Sequence, residues 1–158
     1  MKKTNALRML DARHIPYETV TYPVDEKDLS GANILDFIPL EADAVFKTLV
    51  LKGEKKGIVV CMVPALKEID LKKLAQAIKD KKVEMLPMKL LLSTTGYVRG
   101  GCSPVGMKKQ FPTYIDQTCL NHERLSVSAG IRGMQVLLKR EDLIAVSQAQ
   151  CVDVIKTM

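Results

Sequence analysis

Tryptophan is absent, and aromatic residues make up only 4% of the 158 residues, so the chain has little with which to build a stacking platform for single-stranded nucleic acid. Any contact with RNA must lean on charge. The only histidines, His14 and His122, are far apart in sequence and far from any paired cysteine. Zinc ligation needs clustered thiolates and imidazoles, so no structural metal and no cofactor is expected. Cys61, Cys102, Cys119 and Cys151 show no Cys-x-x-Cys spacing. A chain of this size does not need disulfides, so they read as reduced thiols. No Gly-x-Ser-x-Gly, Rossmann or P-loop pattern occurs, which argues against a Ser-His-Asp hydrolase and against the common nucleotide-binding folds. The longest apolar stretch, Ile58 to Leu66, contains Pro64 and falls short of the roughly 20 residues that span a bilayer. The start, Met1-Lys2-Lys3-Thr4-Asn5, leads straight into a mixed helix without the apolar core of a signal peptide. The expectation is a cytoplasmic protein with no membrane contact.

What is present is length, apolar content and positive charge. The 17.6 kDa chain suits one compact domain over 1–158. Hydrophobic residues at 47% beside 27% charged residues can build a core and keep the surface wet. The net charge of +6 favours a polyanionic partner. The lysines concentrate at Lys52, Lys55 and Lys56, at Lys72, Lys73, Lys79, Lys81 and Lys82, and at Lys108 and Lys109. Sequence does not show whether they share a face or are simply solvated.

Local signals divide the chain into short elements. Thr4 caps a helix through Arg13, and His14-Ile15-Pro16 ends it before an extended Tyr17 to Tyr22. Ser30-Gly31 opens a short helix with Ile34, Leu35 and Ile38 on one stripe, closed by Pro39, and a turn at Glu41 to Ala44 follows. Gly53-Glu54-Lys55-Lys56-Gly57 separates two apolar runs, Phe46 to Leu51 and Ile58 to Val63, as in a hairpin. Asp70 caps a helix over Leu71 to Ile78, and Pro87 starts another that ends near Leu92. Strands are predicted at Thr113 to Asp116, Arg124 to Val127 and Met134 to Leu138, then a helix from Glu141 to Ala149 and an edge segment Cys151 to Ile155. Helices scattered among short strands favour an α+β fold with a mixed, strongly curved sheet flanked by helices.

Two segments stand out as chemistry. Val45-Phe46-Lys47-Thr48-Leu49-Val50-Leu51 places Lys47 inside an apolar strand, on the face that alternation gives to Val45, Leu49 and Leu51. Such a lysine is a Schiff-base nucleophile, a base of depressed pKa, a fixed cation, or simply a chain that snorkels to water. Thr95-Gly96-Tyr97-Val98-Arg99-Gly100-Gly101-Cys102-Ser103-Pro104-Val105-Gly106 supplies a bend. Its glycines would let backbone lie close to a ligand with N–H groups facing an oxyanion, or would only make a tight turn. Val127-Ser128-Ala129-Gly130-Ile131-Arg132-Gly133 is a second loop of this sort, in which Arg132 could fork onto a phosphate. Cys102 has no base beside it in sequence and reads as a small packing residue. Tyr22 would pack at a sheet edge, while His14, His122 and the acids Asp25, Glu26 and Asp28 read as surface.

Read together and in this order, Lys47-Thr48-Leu49, the Gly-Gly-x-Ser-Pro-x-Gly loop, Ser-x-Gly-x-Arg-Gly and Tyr22 resemble the YbaK family of aminoacyl-tRNA deacylases, relatives of the editing domain of bacterial prolyl-tRNA synthetase. The resemblance extends from the first helix to about Arg140 and takes in Asp70-Leu71-Lys72-Lys73-Leu74-Ala75 and Lys81-Lys82-Val83-Glu84-Met85. It implies the same mixed sheet, with a pocket at one end. It also implies a trans-acting deacylase of mischarged tRNA in which Lys47 places the acceptor end, Gly100 and Gly101 form an oxyanion wall, and Tyr22 borders the side-chain pocket. Thr48, Ser103, Ser128, Gly130 and Arg132 would contact substrate. For cysteinyl substrates the family implies attack by the substrate's own thiol, which fits a chain with no obvious nucleophile, and Cys-tRNA(Pro) is the expected substrate. The alternatives are an Ala-tRNA(Pro) deacylase that activates water and a noncatalytic module that binds tRNA ends or an acyl ligand. Prolyl-tRNA synthetase is a candidate partner. Gln135 stands where bacterial cysteinyl deacylases of this family carry an acid.

Overall fold

The computed structural model describes residues 3–24 and 32–157. The expected start at Ser30-Gly31 and the acids Asp25, Glu26 and Asp28 lie outside these residues.

The amino-terminal helix α1 covers Asn5–Ala12, and Thr4 caps it by accepting the Leu7 N–H at 3.1 Å. His14 ends it in the left-handed conformation with φ of 57°. Strand β1 (Glu18–Thr21) follows, then a 3-10 helix at Ala32–Phe37 and a single 3-10 turn at Ala42–Ala44. The predicted hairpin is present as β2 (Phe46–Gly53) and β3 (Gly57–Pro64), antiparallel in the register Lys47 with Val63 and Gly53 with Gly57. Asp70 caps α2 (Leu71–Ile78) by accepting from Lys72 N and Lys73 N. A short strand β4 (Val83–Met85), which sequence patterning does not signal, pairs with only Leu51 to Gly53. The helix after Pro87 begins as a 3-10 turn, Met88–Leu90, and continues as α3 (Leu91–Thr95), a little beyond the expected end.

The carboxy-terminal half contains β5 (Thr113–Asp116), a 3-10 turn at Gln117–Asn121, β6 (Arg124–Ser128), β7 (Met134–Lys139), α4 (Arg140–Ser147) and β8 (Ala149–Val152). Helix α4 stops two residues before the expected end because Gln148 adopts φ of 57°. The edge strand accordingly starts earlier than predicted, and Ile155 instead bridges Ile69.

The architecture is the expected α+β mixture, with the β structure divided into two sheets. One has three antiparallel strands in the order β1-β7-β6, and the other is mixed, in the order β4-β2-β3-β5-β8. A parallel bridge from Val45 to Ser126 joins them. The apolar run of β3 has no polar face because both its faces are covered. Val59, Cys61 and Val63 pack with Leu74, Ala75 and Ile78 of α2, while Met62 packs with Phe46, Ile115, Leu125, Val127 and Leu138 and with Leu7 and Leu10 of α1. Full burial of a leucine such as Leu74 is worth ~1.5–3 kcal/mol. Among the described residues, no helix is long and apolar enough to cross a membrane.

Candidate active site

Strand β2 is paired to β3 along its whole length, but on its other edge β4 reaches only from Leu51 to Gly53. Leu86 N–H extends that cover by donating to Val50 O at 3.0 Å. Among the described residues the edge from Lys47 to Leu49 therefore has no strand beside it, and a cavity of about 510 Å³ opens there. This lies within the roughly 300–1,000 Å³ typical of small-ligand sites. The Lys47-Thr48-Leu49 edge, Tyr22, Gly100, Ser128 and Arg132 all line it. Four segments distant in sequence thus meet at one place.

Lys47 is only partly exposed. Burial holds its ammonium below the ordinary lysine range, and the Glu68 carboxylate opposes that shift. Glu68 is itself engaged with Lys156 at 3.0 Å, so its charge is largely taken up elsewhere. Beside Lys47, the Thr48 hydroxyl oxygen is buried with no hydrogen-bond partner among the described residues. Tyr22 is half-buried, stacks on Phe37 with ring centroids 6.4 Å apart, and is fixed by its N–H donating to Gly133 O at 2.9 Å.

The glycine loop is held from within. Tyr97 Oη donates to Val105 O at 2.6 Å, and Tyr97 N donates to Thr95 Oγ1 at 3.0 Å. Gly100 takes φ of 84°, a left-handed conformation that L side chains enter at a cost. At Gly101 the requirement is space. A Cβ there would lie 2.9 Å from Arg132 N and 3.0 Å from Ile131 C, both backbone atoms of the second loop. The two loops therefore lock together, and Arg132 Nε strengthens the contact by donating to Arg99 O at 2.8 Å.

Three of the residues expected in the site lie outside the cavity wall. The Gly101 N–H donates to Val98 O at 2.9 Å, so it closes a turn instead of facing a ligand. Ser103 is fully buried and its Oγ accepts from Val105 N at 3.2 Å. Gly130 packs against Tyr97 and Thr4, and its N–H donates to Ser128 Oγ at 3.1 Å. These residues shape the loops that carry Gly100, Ser128 and Arg132.

Residues of the wall that sequence patterning does not single out include Phe46, Met85, Met88 and Arg99. Phe46 and Arg99 carried a signal, since the first adjoins Lys47 and the second the glycine pair. Gln135 is buried in the wall, and its Oε1 accepts from Ser126 Oγ at 2.8 Å, which fixes the carboxamide. Cys102 also lines the cavity, but burial pushes its thiol up to about 12 against a small opposing effect of Thr95, so it is not a thiolate nucleophile at neutral pH. The described wall thus holds three cationic side chains, Lys47, Arg99 and Arg132, and no carboxylate or imidazole. Such a site can position an anionic or carbonyl group and stabilise developing negative charge. Among the described residues there is also no group of three or more potential metal-binding side chains.

The lysines of the hairpin end do gather in space. Asp80 accepts backbone N–H bonds from Lys55, Lys56 and Lys81, and Glu54 N–H donates to Lys82 O. Lys52, Lys55, Lys56, Lys81 and Lys82 therefore surround one end of β2, and β4 runs from them to Met85 in the cavity wall.

Comparison with known proteins gives a consistent result. The model of a family described as the aminoacyl-tRNA editing domain matches residues 31–146. A protein of Enterococcus faecalis, provisionally named Cys-tRNA(Pro)/Cys-tRNA(Cys) deacylase EbsC, is 45% identical over 153 residues, covering 97% of this chain and 93% of its own. Among solved structures, one described provisionally as a trans-editing enzyme for prolyl tRNA synthetase superposes with a TM-score of 0.83 at 22% identity, over 99% of this chain and 100% of its own. A hypothetical protein gives a TM-score of 0.83 at 16% identity, over 97% and 100%. At these identities the two structures speak to the fold alone.

Proposed function

The chain belongs to the aminoacyl-tRNA editing domain family, as its resemblance to YbaK deacylases implied, and from that premise we propose that it is a trans-acting deacylase that cleaves the ester of mischarged tRNA, with Cys-tRNA(Pro) as substrate. The observation that carries this reading is the character of the described wall, which sets three cationic side chains, Lys47, Arg99 and Arg132, beside the close-approach backbone at Gly100. A site of that kind suits a substrate that brings its own nucleophile.

The reaction then needs orientation and charge stabilisation. The cysteinyl thiol loses its proton and its sulfur attacks the ester carbonyl. As the carbon–oxygen bond breaks, the terminal ribose oxygen leaves and takes up a proton. Water hydrolyses the resulting thiolactone to free cysteine. Lys47 and the backbone at Gly100 face the developing oxyanion, which preorganised donors stabilise without reorganisation. Holding thiol and carbonyl in contact supplies the remaining advantage through proximity. Tyr22 and Thr48 bound the pocket, Ser128 and Arg132 hold the acceptor end, and the lysines around Asp80 meet backbone phosphates. We place this work in one domain, in the cytoplasm, on tRNA released by prolyl-tRNA synthetase.

A deacylation panel with Cys-, Ser-, Ala- and Pro-tRNA tests the reading. Cys-tRNA should be cleaved much faster than isosteric Ser-tRNA, and Cys102→Ala should keep that activity. Equal rates for Cys and Ser defeat the substrate-thiol route. Preference for Ala-tRNA points to activated water, and binding without turnover points to a noncatalytic module.

A further inference from the structure

Sequence spacing leaves the four cysteines unrelated, yet the fold brings two of them into contact outside the candidate active site. Cys119 lies in the 3-10 turn that follows β5, and Cys151 lies in β8, the edge strand paired in parallel with β5 so that Cys151 stands beside Ile115. Their sulfurs are 3.7 Å apart. Cys119 is fully buried whereas Cys151 is exposed. Neither residue lines the cavity at Lys47.

The arrangement is anchored on both sides by one carboxylate. Asp116 Oδ2 accepts from Thr118 N at 3.1 Å and Thr118 Oγ1 at 2.7 Å, which fixes the turn bearing Cys119. Asp116 Oδ1 accepts from Val154 N at 3.0 Å, which fixes the segment just after Cys151. The two sulfurs are thus held near each other by the fold, and side-chain rotation must bring them only to the ~2.05 Å of a disulfide.

We propose that Cys119 and Cys151 are a reversible oxidation site that reacts with hydroperoxides to form an intramolecular disulfide. The exposed Cys151 meets the oxidant. Its thiolate attacks the terminal peroxide oxygen, the O–O bond breaks, and hydroxide or alkoxide leaves to give Cys151 sulfenic acid. The Cys119 sulfur then attacks the Cys151 sulfur, the S–O bond breaks, and the departing hydroxide takes the Cys119 proton as water. Two electrons pass from the thiols to one peroxide, and a dithiol reductant returns both thiols. Burial pushes the Cys119 thiol up to about 12, which suits a resolving partner that stays protonated until its neighbour is oxidised. The bridge would close a loop containing β6, β7 and α4, and so restrict the unfolded chain. This site stands apart from the deacylase reading and does not depend on it.

The test is peroxide treatment of the full chain, proteolysis without reductant and mass spectrometry. The expected product is a Cys119–Cys151 peptide pair two hydrogens lighter than the two free peptides, lost on adding dithiothreitol and still formed in Cys61→Ala. The oxidised protein should melt roughly 5 °C or more above the reduced one, and Cys151→Ser should abolish both the pair and the shift. In Cys119→Ala, Cys151 should accumulate as a dimedone-reactive sulfenic acid. Direct conversion of wild-type Cys151 to sulfinic acid, or to a bridge between two copies, while Cys119 stays reduced would overturn the proposal. The wild-type measurement decides the matter even where a variant fails to fold.

Discussion

Replacing Lys47 with methionine should separate activity from stability. Lysine and methionine have similar length, so Lys47→Met leaves little cavity. The folded protein holds the lysine below its ordinary pKa of 10.5, with burial as the main cause. A lowered lysine pKa means that the fold disfavours the charged form, so removing the charge relieves a cost. The attraction given up is small, because the carboxylate that opposes the shift among the described residues, Glu68, is paired with Lys156. The melting temperature should therefore stay within ~2 °C of native or rise. Catalysis should behave oppositely. A unit charge about 4 Å from a developing oxyanion is worth ~4 kcal/mol at an effective dielectric near 20, and loss of one preorganised oxyanion donor costs ~10²–10³-fold in kcat. Single-turnover deacylation of Cys-tRNA with a thermal melt on the same preparation reads both. A folded Lys47→Met that keeps about a third of the native rate, a loss below ~1 kcal/mol, would refute the role. A melting temperature well below native would refute the desolvation argument.

The rate of enzyme-catalysed Cys-tRNA cleavage should rise as the substrate thiol ionises near pH ~8 and fall as Lys47 loses its proton. Because burial lowers that pKa, the descending limb should lie below 10.5, and it should vanish in Lys47→Arg, whose guanidinium stays charged; an unchanged limb in that variant counts against Lys47. Gly101→Ala meets backbone atoms of the second loop at 2.9–3.0 Å and should cost ~1–3 kcal/mol of stability. Gly100→Ala meets only the Arg132 side chain at 3.3 Å and should cost ~1 kcal/mol through its positive φ. Both should lose activity, and melts that rank Gly100→Ala as the more damaged protein would contradict the loop geometry. Thr48→Val removes a buried hydroxyl that has no described partner and should leave the melting temperature unchanged or raise stability by ~1 kcal/mol, while KM rises if that hydroxyl meets substrate. A lower melting temperature would show that Thr48 is bonded within the protein.

Much of this molecule was legible locally. Thr4 and Asp70 announce helix starts because a side-chain oxygen satisfies N–H groups two or three residues onward. The hairpin reads from glycines flanking Glu54-Lys55-Lys56 between two apolar runs. Strand β4 did not read, since its three residues are held by Leu51 to Gly53 and by no pattern of their own. The resemblance implied Ser103 and Gly130 as ligand contacts, whereas Ser103 Oγ accepts from Val105 N, Gly130 N donates to Ser128 Oγ and Gly130 packs against Tyr97 and Thr4. Cys119 and Cys151 gave no spacing signal at all.

The sequence by itself determined most of the element types, the family and the motifs that come to line the cavity, because capping, turn chemistry and apolar patterning act over a few residues. Only the tertiary structure decided that the strands divide into two sheets joined at Val45 and Ser126. It alone left the Lys47 edge open, turned Gly101 inward as a spacer between loops, and set two distant thiols 3.7 Å apart. Those outcomes depend on which apolar faces bury against each other once long loops have closed, and no short window of sequence contains that choice.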